Sequence, residues 1–138
     1  MGKKPSYFYQ QSGVVPFRIK NGRYELLLIT TRKGKWIFPK GIIESGLDAK
    51  ESAAQEALEE AGIKGKIYDS ILLEYKYEKW GGVCNVKVFP FEVEEILERW
   101  EEDFFRKRKW VDISKVEEKV SNKNLKKIIN EFQTHFLK

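Results

Sequence analysis

The alternation of apolar and polar positions predicts strands over residues 12–19 (SGVVPFRI) and 24–31 (YELLLITT), joined as a hairpin through the NGR turn at 21–23. The run LLLI is apolar without interruption, the pattern of a strand buried on both faces. A basic, glycine-punctuated stretch, TRKGKWIFPKG, then reads as a loop with a short strand at 36–38, closed by Pro39. Residues 49–61 switch to strong helix formers. Asp48 can cap that helix, Glu51 completes a capping box, and Gly62 stands where a left-handed end belongs. Ala53, Ala54, Ala57, Leu58 and Ala61 give the helix a small-residue face for close packing. Residues 64–76 and 83–93 predict two strands around a turn at 80–82, and 106–111 (RKRKWV) a further strand. The segment 96–104 (ILERWEEDF) fits helix and loop equally, and helical material begins again at Asp112. A last helix over 124–137 sets Leu125, Ile128, Ile129, Phe132 and Phe136 on one stripe, a core-packing pattern with no chemistry in it. This order predicts an α/β fold, a mixed sheet between helices in an α/β/α sandwich, as one domain over residues 1–138.

Composition narrows the class. The chain has 138 residues, 41% apolar and 14% aromatic, enough for a core and too apolar for disorder. One cysteine, Cys84, excludes an internal disulfide framework and fits a reducing, cytoplasmic setting. The start, MGKKPSYFYQQ, has no apolar core for a signal peptide, and its Lys3 and Lys4 argue against myristoylation. No apolar run approaches membrane-spanning length. A net charge of +5 points to an anionic partner, whether nucleotide, polyphosphate or nucleic acid, although an ordinary soluble basic surface reads the same. Within this basic chain, residues 41–63 (GIIESGLDAKESAAQEALEEAGI) hold six carboxylates and a single base, Lys50. The segment carries −5, which leaves +10 on everything else.

Such an island needs a physical reason. On a helix, Glu56, Glu59 and Glu60 share one edge, where each like-charge pair costs a few tenths of a kcal/mol, roughly, and more if buried. A divalent cation that prefers oxygen, Mg²⁺ or Mn²⁺, reverses the sign of that cost. The bland alternative is a solvated acidic face.

The surrounding residues resemble a family pattern, the Nudix box, G-x5-E-x7-R-E-U-x-E-E-x-G-U with U aliphatic. Gly41 supplies its first glycine, and Glu56, Ala57, Glu59, Glu60, Gly62 and Ile63 fill its second half in register. The resemblance implies a Nudix fold and hydrolysis of a pyrophosphate linkage with Mg²⁺ (or Mn²⁺). It implies metal ligands at Glu56, Glu59, Glu60 and the Gly41 carbonyl, with Glu56 able to serve as base instead. Glu44 is expected to reach the metal through water, and Glu102 or Glu101 to deliver a carboxylate from outside the box. Leu47 and Gln55 depart from the pattern, standing where a Glu and an Arg brace the loop–helix–loop. Losing both members of a charged pair is near neutral where losing one is costly, so the two read as a coupled replacement.

WIFPKGIIE, EEAGIKGKI and RWEEDFFRKRKW are further similar to the dinucleoside polyphosphate and diphosphoinositol polyphosphate phosphohydrolases. That likeness implies a small-molecule substrate such as diadenosine tetraphosphate. Its phosphates would meet Arg32, Lys33, Lys35, Lys40, Arg106 and Arg108, arginine bidentately and lysine as a point charge. A non-catalytic module that binds a nucleotide or RNA is the other reading, and eroded carboxylates would mark it. RNA is the less favoured partner, no membrane is expected, and monomer and homodimer both remain open. His135 and Cys84 read as structural. Trp36, Tyr75, Tyr77 and Trp80 read as core or edge aromatics, one of them a candidate to stack on adenine.

Overall fold

Strand β1 (Phe8–Lys20) turns through Asn21 and Gly22 into β2 (Arg23–Thr30). Both turn residues have positive φ, 52° and 75°, the conformation that lets a two-residue turn match the strand twist. Next come β3 (Trp36–Ile37), β4 (Lys40–Ile42), helix α1 (Ala49–Ala61), β5 (Ile63–Ile67), β6 (Leu73–Lys79) and β7 (Gly82–Ile96). The chain ends with β8 (Arg108–Asp112), α2 (Val116–Lys119), α3 (Lys123–Glu131) and a π-helical turn, Phe132–Phe136. This computed structural model describes residues 8–137. Most of the start read above for targeting signals lies outside the described residues.

The strands form one mixed sheet whose single parallel pairing joins β1 to β7 along their length. Alternation along the strands separates two cores. Val14, Leu27, Ile29, Phe89 and Phe91 pack on Ala53, Ala57 and Ala61 of α1. Val15, Leu26, Leu28, Val86 and Val88 pack on Leu125, Ile128, Ile129 and Phe132 on the other face. The expected α/β sandwich is what forms, and the uninterrupted LLLI run does feed both faces. Among the described residues no helix is long and apolar enough to cross a membrane.

Three expectations change. The strand expected over 64–76 is two strands. β5 pairs with the C-terminal half of β7 and β6 with its N-terminal half, and the chain crosses between them through bonds from Tyr68 N–H to Pro90 O and Leu72 N–H to Val88 O. The ambiguous segment at 96–104 is a run of bends and turns after β7 ends at Ile96. The last helix is regular only to Glu131 and then widens by a π turn, which keeps Phe132 buried and stacks it on Phe136.

What positions the site is a split in the sheet. β1 and β2 pair only where Phe17–Lys20 meets Arg23–Leu26. Beyond this, β2 takes β3 as its neighbour and β1 takes β4, so residues 36–42 fill the opening between two diverging strands. Val14 N–H bonds to Pro39 O at 3.0 Å, and a Cβ on Gly13 would collide with that carbonyl, so the crossing segment is pressed against β1.

Candidate active site

Helix α1 begins and ends as its sequence dictates. Asp48 accepts from Glu51 N–H while the Glu51 carboxylate accepts from Asp48 N–H, and Gly62 adopts φ 65°, ψ 39°. Ser52, fully buried, ties the helix to the preceding loop. Its Oγ donates to Ile42 O and accepts from Glu44 N–H, each at 3.3 Å. At the other end, Trp100 Nε1–H bonds to Glu60 O at 2.9 Å. Arg108 donates to Ala61 O and Leu97 O at 2.9 Å, its guanidinium 3.7 Å above the Trp100 ring. These donors satisfy carbonyls that a helix end would leave bare.

The helix is thereby fixed with Glu56 and Glu60 against the crossing segment. Glu60 is 8% exposed and accepts from Lys40 N–H at 3.1 Å, with Arg106 Nη2 at 3.6 Å. Glu56 packs so close to Gly41 that any Cβ there would fall inside its carboxylate. Burial, then the neighbouring Glu60 and Glu59, push the Glu56 carboxyl up to about 8. Burial likewise raises Glu60 to about 7, against the opposing pull of Arg106 and the Lys40 N–H. A buried and a half-buried carboxylate set side by side form a donor set that suits a hard divalent cation.

A pocket of about 740 Å³ opens over this pair. Lys40, Arg32 and Lys79 supply positive charge to its lining, and Tyr75, Tyr77 and Trp80 from the β6 hairpin supply an aromatic side. Lys40 Nζ donates to Tyr77 Oη at 2.8 Å and to Gln11 Oε1 at 3.3 Å. Burial lowers its pKa, the neighbouring Lys79 adds to that, and the Glu60 charge opposes it. Burial raises Tyr75 to about 12 and Tyr77 above its ordinary range as well.

The expected site residues separate into those at the pocket and those elsewhere. Gly41, Glu44, Glu56, Glu60, Lys40, Arg32 and Arg106 line it. Arg106 braces the carboxylates, with Nε on Glu102 Oε1 at 2.7 Å and Nη1 on Thr30 O at 2.8 Å. Glu102 reaches the site through that bond and through its N–H on Glu59 O, while Glu101 is exposed. Glu59 does not converge with Glu56 and Glu60 as expected, because its Oε2 accepts from Gln55 Nε2 at 2.7 Å and it stays off the pocket lining. Among the described residues no three carboxylate, histidine or cysteine side chains are gathered as a ready metal cage. Gln55 thus has a partner on its own helix, and Ser52 with the capping box braces the loop near Leu47.

Three of the expected phosphate ligands lie away from the pocket. The Arg108 guanidinium is committed to the Ala61 and Leu97 carbonyls and does not line it. Lys33 and Lys35 project from the exposed turn at 31–35 and do not line the pocket. Trp36 packs against the α3-side core, Cys84 is fully buried, and His135 is exposed beside Glu131 at 3.4 Å. Sequence reading missed Gln11, Lys79 and Phe105 of the lining. Lys79 beside the 80–82 turn carried the one usable signal, since a basic residue next to a predicted hairpin tip can reach across a sheet edge.

Comparison with known proteins agrees with this geometry. A family model of the NUDIX domain matches residues 10–132, and the chain belongs to that family. Nudix hydrolase 21, chloroplastic, of Arabidopsis thaliana is 34% identical over 131 residues, covering 91% of this chain and 66% of that protein. Diphosphoinositol polyphosphate phosphohydrolase 3-alpha of Mus musculus is 32% identical over 112 residues, covering 79% and 67%. The chain spans less than two thirds of the first curated relatives' length, 66% of Nudix hydrolase 21 and 60% of Nudix hydrolase 4. Among solved structures, the Ap4A hydrolase of C. elegans superposes with a TM-score of 0.78 at 22% identity, covering 96% of this chain and all of that one. That likeness is one of fold.

Proposed function

We propose that this domain is a metal-dependent hydrolase of a pyrophosphate linkage in a nucleoside-diphosphate-linked or polyphosphate substrate, with a dinucleoside polyphosphate such as diadenosine tetraphosphate as the leading candidate. The observation that carries the reading is the pocket itself, where the paired carboxylates of Glu56 and Glu60 face Lys40, Arg32 and Lys79 across a space lined by tyrosines and Trp80. Glu56, Glu60 and the Gly41 carbonyl would hold Mg²⁺ or Mn²⁺ there, a group that would supply neutralisation of the phosphates and a more acidic attacking water. The protein's own part is positioning and charge compensation, which phosphoryl transfer needs more than covalent help. Lys40 and Arg32 hold nonbridging oxygens. Arg106 keeps Glu60 and Glu102 apart and oriented. Where Glu56 serves as the base that takes the proton of the water instead of as a ligand, Glu60 and the Gly41 carbonyl would hold the ion.

The mouse relative is named for diphosphoinositol polyphosphate and the C. elegans neighbour for Ap4A, and both compounds contain phosphoanhydride bonds. The decisive measurement is phosphate release from diadenosine polyphosphates, nucleoside triphosphates, ADP-ribose, diphosphoinositol phosphates and capped or triphosphorylated RNA, with and without Mg²⁺. We expect Mg²⁺-dependent turnover, fastest on a dinucleoside polyphosphate. Tight binding of a nucleotide or RNA with no turnover would replace the hydrolase by a binding module.

A further inference from the structure

We infer that Tyr77 and Gln11 are positioning residues that aim the Lys40 ammonium at the phosphate chain of the substrate. The inference rests on the proposed function only in taking that phosphate chain as the occupant of the pocket.

Three strands contribute one side chain each, Gln11 from β1, Lys40 from β4 and Tyr77 from β6, and their polar atoms close a ring. Lys40 Nζ donates to Tyr77 Oη at 2.8 Å, Tyr77 Oη donates to Gln11 Oε1 at 2.9 Å, and Lys40 Nζ donates to Gln11 Oε1 at 3.3 Å. Donor counting gives the ring one direction. A phenol has a single hydrogen, which the Gln11 oxygen accepts at 2.9 Å; the buried Cys84 thiol also meets this hydroxyl, and as the ammonium can only donate, the phenol oxygen accepts from it. The Gln11 oxygen fills both lone pairs, and its amide nitrogen in the same place would face a cation. Gln11 is 3% exposed, so its orientation is set by the sheet around it.

Of the three N–H bonds on Lys40, two are spent on these partners, which leaves one for a ligand in the pocket that Lys40 lines. Both partners are neutral, so they fix the direction of the ammonium without cancelling its charge. The ammonium also lies 4.9 Å from the centre of the Tyr77 ring. A lysine on a free four-carbon stem would have to be ordered when ligand binds. Here that ordering is built in. The main-chain N–H of the same residue holds Glu60, so one residue sets both the carboxylate and the cation across the reacting phosphates. A structural role for the ring would stabilise the fold whether or not Lys40 is present as a cation. A positioning role acts only through Lys40.

The test is a double-mutant cycle of Tyr77→Phe and Lys40→Met on the full chain. It is read by kcat/KM on diadenosine tetraphosphate with Mg²⁺ and, separately from turnover, by the Kd for inorganic tripolyphosphate with Mg²⁺. We expect Tyr77→Phe to cut kcat/KM roughly tenfold, about the effect of one hydrogen bond to a charged group, and to change it less than twofold when Lys40 is already Met. The same coupling should appear in tripolyphosphate affinity. Equal losses in both backgrounds would overturn the inference, and so would tripolyphosphate binding that Lys40→Met leaves unchanged. Should the protein hydrolyse no polyphosphate yet bind tripolyphosphate with this coupling, the hydrolase reading fails and the positioning role stands. A protein that neither hydrolyses nor binds polyphosphate ends both. If Tyr77→Phe no longer melts cooperatively, Gln11→Leu takes its place in the cycle with the same expectations.

Discussion

At the scale of single residues, the site depends on Glu60 and on the space Gly41 leaves for its neighbour. Alanine at Glu60 removes a carboxylate that is 8% exposed and held by Lys40 N–H, and should lower turnover by about 100-fold or more while thermal melting stays cooperative. A mutant rate within a few fold of wild type would remove Glu60 from the mechanism. Gly41→Ala makes a finer test, because the added methyl would have to displace the Glu56 carboxylate. It should weaken Mg²⁺ activation, seen as a higher Mg²⁺ concentration at half-maximal rate. An unchanged Mg²⁺ profile would mean Glu56 does not serve the metal. These residues were legible in sequence because they sit at fixed spacings on one helix and its leading loop. Tyr77 and Gln11 were not, because nothing in a sequence fixes which residues of two strands meet the side chain of a third. Arg108 was misread because a cation between aromatic and acidic neighbours looks the same whether it meets a phosphate or a helix-end carbonyl.

At the scale of elements, α1 is held at both ends, and its C-terminal clamp gives the next prediction. Arg108→Met strips the donor from Ala61 O and Leu97 O and uncovers the Trp100 face, and each buried carbonyl left bare costs about 1–3 kcal/mol. Urea unfolding should show a loss of that order with KM little changed. A raised KM at full stability would return Arg108 to the phosphate role. The loop before α1 is braced by Ser52 and the capping box, while Gln55 bonds to Glu59 one turn on. Arginine at 55 would keep Glu59 as an i+4 partner, so Gln55→Arg alone should retain most activity. Leu47→Glu places a lone charge in a half-buried position and should lose more. The double change should recover much of that loss, and initial rates of the three variants decide it. The strands, α1 and its caps could be read from periodicity and capping residues. The break at 68–72 was missed, because it comes from the chain changing its place along β7 and its one turn signal, Asp69-Ser70, carries no glycine or proline inside an otherwise strand-like KIYDSILLEY.

At the scale of the whole molecule, the split between β1 and β2 admits residues 36–42 and sets them against helix α1. That arrangement sets the buried Glu60 carboxylate beside the half-buried Glu56, and such a pair must respond to pH as a unit. Burial and then repulsion by Glu60 raise Glu56 to about 8, and burial raises Glu60 to about 7, against ordinary values near 4.5. The pair titrates jointly, so the folded chain retains protons between about pH 4.5 and 8 that the unfolded chain has already released. When the native state binds more protons, stability falls as pH rises. In EDTA, the melting temperature should therefore decline across that window, with the contribution of the pair fully lost only above about pH 8. A divalent cation favours the ionised pair, so saturating Mg²⁺ should raise the melting temperature most at the alkaline end and flatten the decline. Glu56→Gln with Glu60→Gln should remove both the decline and the Mg²⁺ effect. The measurement needs no substrate and no turnover. A melting temperature in EDTA that holds level from pH 5 to 8.5 would mean the two carboxylates do not form the charge-starved pair that a cation completes.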